Sequence, residues 1–90
     1  MTQPRMSKKK REYLDYLRTQ IIPDTRATGR MATAQDLQKC ARLIKAGKTD
    51  AKFVRFLRET LIPDFRASGS DGYVDDFQQC ARYITPKRRR

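Results

Sequence analysis

The chain has 90 residues, 38% hydrophobic and 34% charged, with 21 Lys and Arg against 10 Asp and Glu, a net charge of +11. That length suits one small domain with a compact core and a narrow stability margin. The apolar content excludes a purely disordered polyelectrolyte, and no apolar run approaches the roughly 20 residues of a membrane span. Histidine is absent, which removes the commonest general base and the commonest metal ligand.

In chain order, the first feature is a basic N-terminal arm, residues 1–11, with Arg5, Lys8, Lys9, Lys10 and Arg11. No apolar segment follows it, so no secretory leader is expected, and the expected location is cytoplasmic, with nucleoid or nucleus as variants. Tyr13, Leu14, Leu17 and Ile21 then recur at helical spacing. Pro23 disfavours helical geometry at Ile22 and is expected to end or kink that helix. A ten-residue polar connection, Pro23 to Ala32, is expected next. Thr33, with Asp36 three residues on, is the expected N-cap of a second helix. That helix carries Leu37, Cys40, Ala41 and Ile44 on one stripe, with Lys45 in its last turn and Gly47 beyond its end.

The grammar then recurs after a linker, residues 47–52. Thr49 or Asp50 caps a helix with Phe53, Leu57 and Leu61, which Pro63 interrupts. Ser70 or Asp71 opens the last helix, with Phe77, Cys80, Ala81 and Ile84 on one stripe. Pro86 closes it and a basic tail, residues 87–90, follows. Residues 13–46 set against 53–86 match without a gap at fourteen positions, among them Arg18/Arg58, Arg26/Arg66, Gln38/Gln78, Cys40/Cys80 and Arg42/Arg82. The reading is an all-α fold, a tandem duplication of a helix–loop–helix unit with a period of 40. One hairpin cannot enclose its own apolar face, so the two are expected to form a pseudo-two-fold four-helix bundle, a single domain over 12–86 with basic arms.

The candidate chemistries thin out quickly. Cys40 and Cys80 lie in apolar stripes and read as small buried hydrophobes, with reduced thiols expected from the compartment and a disulfide across the pseudo-two-fold as the alternative. Two cysteines without histidine supply neither a zinc site nor an activated nucleophile. The stretch from Asp64 to Asp76 has the flavour of a calcium loop, but its third position is Arg66 and its twelfth is Asp75. No metal, cofactor or catalytic residue is assigned, and an enzyme is not expected. The matched Pro-Asp-x-Arg-Ala-[Ser/Thr]-Gly segment reads as a structural turn, with phosphate binding as the rival. Asp36, Asp76, Arg42 and Arg82 read as members of intramolecular ion pairs.

The charge is uneven. Residues 13–52 balance to +4 and residues 53–86 to −1. The candidate nucleic-acid-binding residues are therefore Lys8, Lys9, Lys10 and Arg11 in front, Arg26, Arg30, Lys39, Lys45 and Lys48 in the first repeat, and Lys87, Arg88, Arg89 and Arg90 behind. Such clusters neutralise backbone phosphates and release counterions. The ten-residue connections argue against a helix-turn-helix, whose turn has three or four residues, so limited sequence specificity is expected. The rival function is an adaptor or regulator docking on an acidic protein, with Asp75, Asp76, Tyr73 and Tyr83 as a partner face. A homodimer is compatible with either.

Overall fold

The computed structural model describes residues 7–86, and the basic tail at 87–90 lies outside the described residues, as does Arg5. The fold is all-helical, with four helices and no strand among the described residues. The chain forms two compact units, the first ending at Gly47 and the second beginning at Lys48.

In the first unit α1 (Lys8–Tyr16), a π-helical segment (Leu17–Ile21) and α2 (Ile22–Ala27) follow one another without a break and make one rod. All three pack on α3 (Met31–Ala46). Lys8–Arg11 therefore begin α1 rather than forming an arm ahead of it. Cations in a first turn oppose the helix dipole. Ser7 offsets this as the N-cap, its hydroxyl accepting from the Lys10 N–H at 3.1 Å.

Pro23 does not end the helix, contrary to one of the two expected outcomes. It has no N–H to give, and its ring would press on the carbonyl of Thr19 four residues back. The preceding turn widens instead, and the Ile22 N–H reaches the carbonyl of Leu17, five residues back. The widening also keeps the apolar face in register. Leu14, Leu17, Ile22 and Thr25 are buried, at steps of three, five and three. On an unbroken α-helix a step of five swings about 140° away. A π turn takes up one extra residue, so that step acts as a step of four and all four side chains stay on one side.

The connection to α3 is correspondingly short. Only residues 28–30 lie between the helices, against the ten expected. The Arg30 N–H donates to the Thr25 carbonyl at 3.1 Å and the Gly29 N–H to the Arg26 carbonyl at 3.0 Å, the paired bonds of a Schellman cap. Gly29 sits at φ 81°, where a Cβ would be strained. This turn length removes the argument from loop length against a helix-turn-helix. The start of α3 also differs from expectation: Arg30 is its N-cap residue and Thr33 lies within it. Gly47 ends it in the left-handed conformation, as the sequence predicts.

The second unit has the same element order. It runs α4 (Ala51–Phe56), a second π segment (Leu57–Leu61), α5 (Ile62–Ala67) and α6 (Asp71–Ile84). Here too the π turn precedes the proline, with the Ile62 N–H on the Leu57 carbonyl. The turn at 68–70 repeats the Schellman bonds, Ser70 N–H to Phe65 at 2.8 Å and Gly69 N–H to Arg66 at 3.2 Å, with Gly69 at φ 78°. Asp50 caps α4 through its carboxylate, which accepts from the Phe53 N–H at 3.0 Å. Its own N–H donates to the Ile84 carbonyl at 3.0 Å, tying the start of α4 to the end of α6.

Burial follows the predicted stripes. Leu37, Cys40, Ala41 and Ile44 are buried in α3, and Phe77, Cys80, Ala81 and Ile84 in α6. Each fully buried Leu, Ile or Phe contributes about 1.5–3 kcal/mol from removal of apolar area from water. The expectation of free thiols is overturned: neither cysteine is free, and both Cys40 and Cys80 are disulfide-bonded. That expectation rested on compartment, which does not constrain where a fold places two sulfurs.

Candidate anion-binding clefts

In the first unit, α3 and the rod formed by the π segment and α2 leave a cleft of about 450 Å³. Arg18 comes from the π segment, Arg26 from α2, and Arg42 and Lys45 from the second half of α3. Gln38 and Ile22 complete the part that matters chemically. The π turn explains why Arg18 and Arg26 share this cleft. Eight residues on an α-helix would set them about 80° apart, and one absorbed residue brings them to within about 20°. Gln38 and Arg42 need no such correction, because they are four apart on α3 and already share a face.

The cleft is lined by four cations and no carboxylate. Among the described residues, no ion pair holds Arg18, Arg26, Arg42 or Lys45. All four are exposed to solvent. A concave surface of one sign focuses its field and gathers counter-ions. Arginine adds a planar fork of donors that fits phosphate or carboxylate oxygens in pairs.

A second cleft, about 420 Å³, occupies the same place in the second unit. It is lined by Arg58, Ile62, Arg66, Gln78 and Arg82, each forty residues beyond its counterpart. Again no carboxylate lines it. It lacks the fourth cation, since position 85 is Thr where position 45 is Lys.

The structure divides the candidate binding residues. Arg26 and Lys45 enter the first cleft, together with Arg18 and Arg42, which sequence reading left out. Arg30, Lys39 and Lys48 are exposed but do not line it. Lys8, Lys9 and Arg11 are exposed on α1, and Lys10 is half-buried. The tail cations Lys87, Arg88, Arg89 and Arg90 lie outside the described residues. The negative balance of residues 53–86 masks the second cleft in a count of charge along the sequence. The available signal was the forty-residue match: three arginines and a glutamine recur at the same spacing, yet the matched arginines read as fold-supporting. The matched turn motif thus separates into two parts, a glycine that shapes the chain and an arginine that faces the cleft.

The expected ion pairs of Arg42 and Arg82 are replaced by these cleft positions. Asp36 and Asp76 lie elsewhere on α3 and α6 and are held toward the protonated form. Burial raises the Asp36 carboxyl above its usual range, and nearby Lys39 opposes that rise. Burial, reinforced by the neighbouring Asp75 charge, pushes Asp76 up to about 6.

The tyrosines of the rival partner face are engaged within their own unit. Tyr73 packs on Phe65, ring centroids 5.2 Å apart, and the Tyr83 hydroxyl accepts from Gln79 Nε2 at 3.1 Å. Each unit leaves one aromatic residue partly exposed, Tyr16 at 45% and Phe56 at 40%, again forty residues apart, and the Phe56 ring also stacks on Phe53 at 6.1 Å. Among the described residues no group of three metal-ligating side chains gathers, and no helix is long and apolar enough to cross a membrane. Comparison with protein-family models, curated proteins and solved structures finds no match to this chain.

Proposed function

We propose that this is a small non-catalytic protein that binds nucleic acid through its phosphates, with limited sequence specificity. The observation that carries this reading is the pair of matched clefts, each lined by three or four cations and no carboxylate. On this reading the two units are copies of one duplicated hairpin, and the duplication kept the arginines along with the fold. Contacts between guanidinium and phosphate position a strand without reading its bases, which accounts for the limited specificity. The exposed Tyr16 and Phe56 rings suit stacking by unpaired bases, which favours a single strand over a duplex. Lys8, Lys9 and Arg11 extend the cationic surface of the first unit.

The test is a mobility-shift titration at two salt concentrations with single-stranded and duplex probes. Affinity is expected to fall steeply with salt, by roughly 0.7–0.9 in logarithmic slope for each phosphate neutralised. Replacing Arg18, Arg42, Arg58 and Arg82 by alanine should weaken binding and flatten the slope. Unchanged affinity in that variant, at both salt concentrations, would remove the basis for the reading.

A further inference from the structure

We propose that each cleft is a discrete pocket for one densely charged phosphate group, a terminal phosphate monoester or a pyrophosphate, and that the pocket of the first unit is the tighter of the two. This rests on the phosphate-binding reading above and adds a ligand class to it. An internucleotide phosphodiester carries one negative charge and is served by one cation. A terminal monoester carries about −1.5 to −2 at neutral pH, and three acceptor oxygens. Four cations around a single concavity exceed what one diester uses and match the denser group.

The shape agrees with the charge. A volume of about 450 Å³ falls in the range of small-ligand pockets, roughly 300–1,000 Å³. Arg18, Arg26 and Arg42 approach from two different helical rods, so their donors can reach oxygens on different sides of one group. Gln38 adds a neutral amide donor, and Ile22 supplies an apolar wall that limits hydration on one side. The second cleft keeps every one of these features except the fourth cation. Two saturable sites of unequal strength are therefore expected on one chain.

Calorimetric titration of the whole protein with inorganic pyrophosphate at low salt tests this, with amide chemical shifts recorded in parallel. The expected result is two sites, the first roughly two- to fivefold tighter, in line with one extra exposed charge. Arg18→Ala with Arg42→Ala should weaken the tighter site about tenfold or more, as loss of charge-assisted hydrogen bonds does. Arg58→Ala with Arg82→Ala should do the same to the weaker site alone. All four arginines are exposed, and unchanged circular dichroism and melting would show the variants folded. Absence of saturable binding overturns the proposal. So does an equal loss on replacing Lys8, Lys9 and Lys10, because that marks diffuse attraction to surface charge. If pyrophosphate fails but nucleic acid still shifts with the expected salt slope, the pockets fail and the nucleic-acid reading stands. If pyrophosphate fills both pockets and nucleic acid does not bind, the reverse holds.

Discussion

Thr25 in α2 and Phe65 in α5 stand forty residues apart at equivalent places, as do Thr33 and Tyr73, and Leu37 and Phe77. In the second unit these three positions form an aromatic cluster. Phe65 stacks on Phe77 with centroids 5.6 Å apart and meets Tyr73 at a tilt, centroids 5.2 Å apart. In the first unit the same places hold two threonines and a leucine, and the cationic surplus is greater. The cleft arginines, by contrast, are the same in both. The two units share much of their interior, with Leu17 and Leu57, Ile22 and Ile62, Cys40 and Cys80, and Ile44 and Ile84 all buried, and they differ in this cluster while keeping the same three cleft arginines.

The largest effect should come from the interior. Phe77→Ala removes a fully buried ring with a stacked neighbour and should cost about 3–5 kcal/mol in urea unfolding. Leu37→Ala in the first unit should fall in the lower part of the roughly 2–5 kcal/mol range. If Leu37→Ala costs as much as Phe77→Ala, the aromatic cluster adds nothing beyond volume. Next comes the disulfide-bonded state of Cys40 and Cys80. Reduction should lower stability by about 2–4 kcal/mol. Iodoacetamide added to denatured, unreduced protein should label neither cysteine, and labelling of both would contradict the bonded state.

The carboxyls at positions 36 and 76 extend the comparison to pH. Below about pH 4 the folded and unfolded chains both hold the Asp76 proton. Between its ordinary 3.8 and the folded value of about 6, the unfolded chain releases the proton first. Stability therefore falls as pH rises through that window, then levels. Asp76→Asn should flatten this dependence and raise the melting temperature at neutral pH. Asp36→Asn should do less, because Lys39 opposes the shift there whereas Asp75 adds to it at position 76. Equal pH profiles for the two variants would erase the distinction. The smallest effect is expected from Lys45→Thr, which gives the first cleft the residue found forty positions on. It should bring the two pyrophosphate affinities together, a change of roughly two- to fivefold, at a cost of about 1 kcal/mol or less in stability from the lost last-turn cation of α3.

Much of this fold was legible. The stripes of α3 and α6, the glycine at each turn and a cap at Thr49 or Asp50 follow from spacing and residue type, and the structure selects Asp50. The continuation through Pro23 was not read, because a proline inside an apolar pattern usually marks an end. The signal lay in the five-residue step from Leu17 to Ile22, which a strict period of 3.6 treats as noise. The clefts were half legible. Arg26 and Lys45 came from charge counting, but Arg18 and Arg42 need the packing of α3 against the rod before they converge. Arg58, Arg66 and Arg82 were hidden by neighbouring acids, since a net balance averages over faces that the fold keeps apart.

The π segments give the first rod of each unit one residue more than its phase requires. In an ordinary α-helix, excising a residue rotates everything downstream by about 100°. Here, removing one of residues 19–21, with Pro23→Ala to relieve the ring, should yield a plain α-helix that still presents Leu17, Ile22 and both arginines to the same sides. A rod that tolerates a deletion but not an insertion would carry the mark of a residue gained in the past and retained by the proline beside it.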